Sequence, residues 1–254
     1  MLKKLVITGI ILSVSGSLFA HHALEYIDLE SYSTTPQGGY VFYSRYDYFV
    51  PDQDNPKMDH WEFTPGFSYG ITNRLMCDTH FHLAKFGSDH IIAGEDNNDP
   101  LGPAPFIEAI APSVHYQFTK ANDWPVDLAG TFTYEYPLHR SRKLMAAENG
   151  YEGTLIISKE IGKDTNLCLN LSRGREGNEN SKNWGIGIKT PLSQNPRSPE
   201  VGLEFFNDYE GGRRLIGGIF LPLQENIIFK VGLGFGNEAS EEESRLNFTM
   251  MYIF

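Results

Sequence analysis

The sequence predicts an all-β chain, a closed antiparallel transmembrane β-barrel of about twelve strands, an even number. Three observations lead there. Apolar and polar residues alternate with period two in segment after segment from Tyr40 to Phe254. The connections between these segments are mostly long and short by turns, as they are when strands cross a layer up and down. Beyond residue 20 no apolar run reaches the ~18 residues that a spanning helix needs, so only alternating strands could face lipid.

The N-terminus sets the expected compartment. Met1-Leu-Lys-Lys4 is positive, Leu5 to Val14 is apolar, and Ser15 to Ala20 ends in small residues. That pattern is a secretory signal peptide over residues 1–20, too short and too poorly flanked for a membrane anchor. Processing after Ala20 would begin the chain at His21, and the lack of a Cys there argues against a lipid anchor. Without Lys3 and Lys4 the chain keeps 19 basic against 32 acidic residues, a balance that excludes nucleic acid as a partner. With 17 Phe, 13 Tyr and 25 Gly against 2 Cys, it reads as an exported aromatic-rich β protein that does without disulfides. Cys77 and Cys168 fall on opposite parities, which argues against their bonding.

The segments follow in order. Residues 21–39 have weak periodicity and read as a periplasmic arm or plug; residues 40–254 are the barrel. Tyr40, Phe42, Tyr46 and Tyr48 share the outer face of the first strand, with Arg45 and Asp47 inside. Trp61, Phe63, Phe67 and Tyr69 point out from the second, with His60, Glu62 and Thr64 inside. After a tight turn at Thr72-Asn73, Leu75, Cys77, Phe81 and Leu83 face out while Asp78, His80 and His82 face in. The Phe106–Phe118 strand carries His115 inward and one misfit, Glu108 on the apolar parity, which is placed near the rim. Asp127 and Glu135 line the next strand, Glu152 and Glu160 the one after. A strand through Leu167, Leu169 and Leu171 then opens into a polar stretch from Gly174 to Lys182. The later strands turn Lys189, Glu204, Asp208, Lys230 and Arg245 inward, with Gly185 and Gly187 opposite Trp184, Ile186 and Ile188. The Gly236–Glu243 stretch is an acidic loop, taken as solvated.

The last ten residues, Arg245 to Phe254, place Leu246, Phe248, Met250, Tyr252 and Phe254 on one parity. This ending on an aromatic residue resembles the closing strand of bacterial outer-membrane barrels. The resemblance implies that Tyr252 and Phe254 form an assembly signal for the barrel-insertion machinery, in the outer membrane of a Gram-negative bacterium. Its other partners would be outer-membrane lipid and lipopolysaccharide. The segment Pro65 to Leu75, with its Tyr-Gly-Ile-Thr-Asn-Arg-Leu run, resembles a strand–turn–strand of the transporter family of the meta-pathway of phenol degradation. That resemblance implies a barrel that helps small, often aromatic, solutes across, with no catalytic residues.

The inward parity carries nine carboxylates against four basic residues, which predicts a negative lumen favouring cations. An open channel and an interior filled by side chains both fit the pattern. The turn at Thr72-Asn73 sets Glu62 opposite His82 and Thr64 opposite His80, gathering His60, Glu62, His80 and His82 into one patch. Imidazole and carboxylate at that spacing are ligands for zinc or copper, and a free His21 amine would add a copper site. The expected function is therefore a porin-like channel or transporter for a small solute. A sealed structural or metal-binding barrel is the alternative, and a membrane hydrolase a weaker one.

Overall fold

The computed structural model describes residues 26–54, 59–85, 106–119, 123–138, 149–162, 164–177, 179–195, 197–208, 211–237, 240 and 242–254. The expectations for residues 1–20 and for His21 lie outside these.

Twelve strands form: β1 (Tyr40–Val50), β2 (His60–Thr72), β3 (Leu75–Lys85), β4 (Phe106–Gln117), β5 (Asp127–Pro137), β6 (Gly150–Ile161), β7 (Thr165–Glu176), β8 (Glu179–Pro191), β9 (Glu200–Asp208), β10 (Arg213–Gln224), β11 (Ile227–Gly236) and β12 (Ser244–Ile253). Each pairs antiparallel with its neighbours in sequence, and β12 returns to β1 to close the barrel. Closure leaves no sheet edge, so the ladder pairs the backbone groups that lipid could not solvate. Along the closing seam Phe42 lies opposite Tyr252, and Tyr46 opposite Phe248.

Parity separates two surfaces. Ile219 is 48% exposed on the outside of β10, while its neighbour Phe220 is 3% exposed on the inside. Phe42, Leu155, Ile186, Leu203 and Leu233 are likewise exposed on the outer face. An apolar belt of this extent has no stable exposure to water and is the surface that meets lipid. The chain is a closed, membrane-spanning β-barrel. The start of β1, the C-terminal Phe254 and the turns after β2, β4, β6, β8 and β10 share one end, here the near end; the connections after β1, β3, β5, β7, β9 and β11 mark the far end.

Three expectations are corrected or refined. The first turn is Asn73–Arg74, because the Thr72 hydroxyl accepts from the backbone N–H of Arg74 (3.1 Å) and Leu75 (3.0 Å). With a bulge between Gly70 and Thr72, β2 slides two residues against β3: Glu62 lies opposite Ala84 and His80 opposite Gly66. Second, Glu108 falls where the register between β3 and β4 skips a residue, His82 pairing Ala109 and Leu83 pairing Ile107. A bulge inserts one residue and resets the alternation, so the misfit is a register break. Third, Gly174 to Lys182 is a tight hairpin, with Glu176 opposite Glu179. The pattern hides this because a strand that projects beyond the lipid has water on both faces and needs no apolar parity.

Candidate functional site in the barrel lumen

The inward faces converge on the chain's own N-terminal segment. It enters from the near end, where the Gly38 N–H donates to the Gly70 carbonyl (2.8 Å). It is deepest at Asp28 and turns back so that the Tyr26 hydroxyl reaches Asn166 Oδ1 (2.7 Å). Tyr26, Ile27, Leu29 and Tyr32 are buried. Tyr26, Leu29 and Tyr32 pack with Ala129, Ile156 and Cys168, while Ile27 packs with Ile216 and Phe220. Cys168 is buried and Cys77 half-buried, and neither forms a disulfide among the described residues.

Inward glycines make the room, four of them along the deepest stretch. A Cβ at Gly185 or Gly187 would come within 2.6 Å of Leu29 side-chain carbons, and one at Gly218 or Gly232 within 2.7 or 2.8 Å of Ile27. Real Cβ atoms do not approach so closely, so the wall is bare where the segment needs space.

A segment with no strand partner must find hydrogen bonds elsewhere. Glu204, 1% exposed, accepts the three consecutive N–H groups of Ile27 (2.5 Å), Asp28 (3.0 Å) and Leu29 (3.0 Å). Asn170 accepts from the Glu30 N–H (2.7 Å) and donates to the Glu30 carbonyl (3.1 Å). Lys230 Nζ donates to the Tyr26 carbonyl (3.0 Å). Gln117 Nε2 (3.1 Å) and His115 Nε2 (3.1 Å) meet the Tyr32 carbonyl, and His115 Nδ1 lies 3.0 Å from the Thr131 hydroxyl. Burial pushes the Glu30 carboxyl up to about 7, with the nearby Asp78 and Glu152 carboxylates adding to the effect.

At the tip, Asp28 is held by arginines from three strands. Arg245 bonds it through both terminal nitrogens (2.9 and 3.0 Å), Arg45 at 2.5 Å and Arg214 at 2.9 Å. Asp47 bridges Arg45 (2.6 Å) and Arg245 (2.8 Å) and accepts from Asn247 (2.7 Å); Glu242 accepts from Arg214 (2.5 Å). Three guanidiniums thus face three carboxylates, so this part of the lumen is locally neutral despite the overall excess of acids.

The remaining expected site residues are placed as follows. His60 stacks on Phe49 with ring centroids 4.6 Å apart. His80 meets His82 edge-on at 5.0 Å, and its Nδ1 lies 3.2 Å from Asp78 Oδ1. Tyr43 (2.9 Å) and Ser68 (2.7 Å) also donate to Asp78. Ser68 and Tyr43 are thus both engaged by the Asp78 carboxylate. Among the described residues no group of three or more His, Cys, Asp and Glu side chains could hold a metal ion. The two-residue slide of β2 against β3 removes the expected pairing of Glu62 with His82. Lys189 pairs with Glu200 (2.5 Å), and Asp127 is buried. Glu160 is exposed at the near rim. Glu135 and Glu152 line a far-end vestibule of about 550 Å³ together with Asp208, Arg214 and Glu242.

Comparison with solved structures follows this geometry. The COG4313 outer membrane channel from Pseudomonas putida F1 superposes with a TM-score of 0.62 at 13% identity, covering 90% of this chain and 100% of that one. The KdgM porin gives 0.59 at 12%, covering 84% and 99%, and the NanC porin 0.55 at 8%, covering 84% and 98%. The fold is shared with outer-membrane channels. No protein-family model and no curated protein matches the chain. At these identities the likeness speaks for the barrel; the plug and the arginine cluster rest on this chain's own residues.

Three charged residues of the arginine cluster escaped the sequence reading. Arg214 has the inward parity of Ile216 and Gly218, and extending that strand by one residue would have found it. Asp28 lies in a segment without periodicity, and Glu242 in a loop read as solvated. Neither carries a local signal.

Proposed function

We propose that the protein is an outer-membrane channel for small solutes whose lumen is held shut at rest by residues 26–35. The observation that supports this most is the contrast in how wall and segment are held. The wall closes through its own ladder, whereas among the described residues the segment is held over its deepest stretch through hydrogen bonds to wall side chains. Such a segment leaves without unpairing any strand. In line with the transporter resemblance, the solute is small and aromatic, and the acidic excess at the mouth favours cations over anions. Insertion machinery reading Tyr252 and Phe254, and lipopolysaccharide around the far end, are the partners this reading implies.

Planar-bilayer conductance with uptake of a small aromatic solute tests it. Wild-type protein should conduct rarely. Glu204→Gln, which weakens the acceptor for three N–H groups, should raise the open fraction at least tenfold, since hydrogen bonds to a charged acceptor contribute about 1.5–3 kcal/mol. A second reading, a sealed structural barrel, draws on the packing of the same segment. It requires both proteins to be silent.

A further inference from the structure

We propose that Arg45, Arg214 and Arg245 form a carboxylate-binding seat. Asp28 of the plug occupies it at rest, and a small organic carboxylate arriving through the far-end vestibule takes it over. The inference rests on the reading of residues 26–35 as a removable plug.

The geometry of the seat comes first. The two oxygens of Asp28 receive contacts from three guanidiniums, and the Arg245 fork engages both oxygens (2.9 and 3.0 Å). Planar two-point contact is how arginine recognises a carboxylate, whatever molecule carries that group. Asp28 is therefore a tethered ligand, and a free carboxylate presents the same two oxygens.

Charge comes second. With Asp28 withdrawn, the ion pairs left to the three arginines among the described residues are those with Asp47 and Glu242. That leaves one uncompensated positive charge in a poorly hydrated place, which is costly until another anion fills it.

Access is the third point. The Arg45 and Arg214 side chains keep 27% of their exposure, and Arg214 forms part of the vestibule wall. Arg214 Nε is buried with no hydrogen-bond partner among the described residues, so the seat holds a donor that Asp28 leaves unused. The Phe206 ring, 5.0 Å from the Arg214 guanidinium and also on the vestibule wall, offers an apolar surface to the body of the ligand. The vestibule itself carries more carboxylates than bases, so selection for a carboxylate comes from the seat.

The test is calorimetric titration of the processed chain, folded in detergent, with sodium benzoate at fixed chloride. It compares wild type, Asp28→Asn, and Asp28→Asn combined with Arg214→Gln. Removing the tethered competitor should tighten benzoate binding at least tenfold, and adding Arg214→Gln should cancel the gain. Equal affinity in all three, or no binding to Asp28→Asn, overturns the seat. If Asp28→Asn does not run as a folded, heat-modifiable barrel, wild type is compared with Arg214→Gln alone. Binding at least tenfold weaker in that variant supports the seat, and equal binding overturns it. The titration needs no conduction, so its failure is distinct from a failure of the channel reading.

Discussion

The wall and the plug are built by opposite rules. Each wall strand announces itself locally, because lipid on one side and the lumen on the other impose a two-residue period on every segment that crosses. The plug has no period. Its position is written in the wall, in four inward glycines that leave space and in Glu204, Asn170 and Lys230, which take over its backbone. A wall strand thus depends on its own composition, and the backbone of residues 26–30 on Glu204, Asn170 and Lys230, 140 or more positions away in the chain.

Adjacent residues on β10 break the two regions separately. Ile219 faces lipid and Gly218 faces Ile27. Ile219→Arg should destabilise the barrel by about 2–4 kcal/mol if the site lies near the bilayer midplane. Denaturant unfolding in lipid vesicles measures this, and hydrogen exchange of residues 26–35 should change only with the global transition. Gly218→Val should cost about 1–3 kcal/mol by overpacking, and most of that should fall on the plug. Exchange of residues 26–35 should rise while the unfolding midpoint of the wall barely moves. Equal effects of both substitutions on both readouts would dissolve the distinction.

A smaller effect comes from pH. The Glu30 carboxyl is pushed from 4.5 up to about 7 in the docked state, so the docked state binds its proton more tightly than the released one. Docking is therefore favoured most below pH 4.5, and that contribution is lost as pH rises through about 7. Single-channel open fraction should climb between pH 5 and pH 8 in wild type, and Glu30→Gln should flatten the climb. A profile that falls over this range, or is unaltered in the variant, counts against Glu30 as a plug residue.

How much was legible follows from the same contrast. Strand count, parity, closure and most lumen residues could be read from the alternation, because each is a local consequence of lipid on one side. The two-residue slide of β2 against β3 was not, since a Thr72 cap and a bulge decide it. Asp28 and Glu242 were hidden because a buried carboxylate and a solvated one look alike until their arginines are placed. Gly185 and Gly187 were visible as inward glycines, yet only Tyr26 and Leu29 explain why the wall is empty there.

The most direct test fastens plug to wall. Leu29→Cys with Gly185→Cys, in a chain with Cys77 and Cys168 changed to Ser, replaces the side chain that fills the Gly185 hollow and puts two thiols across it. Bilayer conductance is then recorded before and after reduction. The expected result is silence in the oxidised protein and gated conductance once the bond is reduced. Equal conductance in the two states would show that solutes pass with the plug in place, and the claim that residues 26–35 shut the lumen would be wrong.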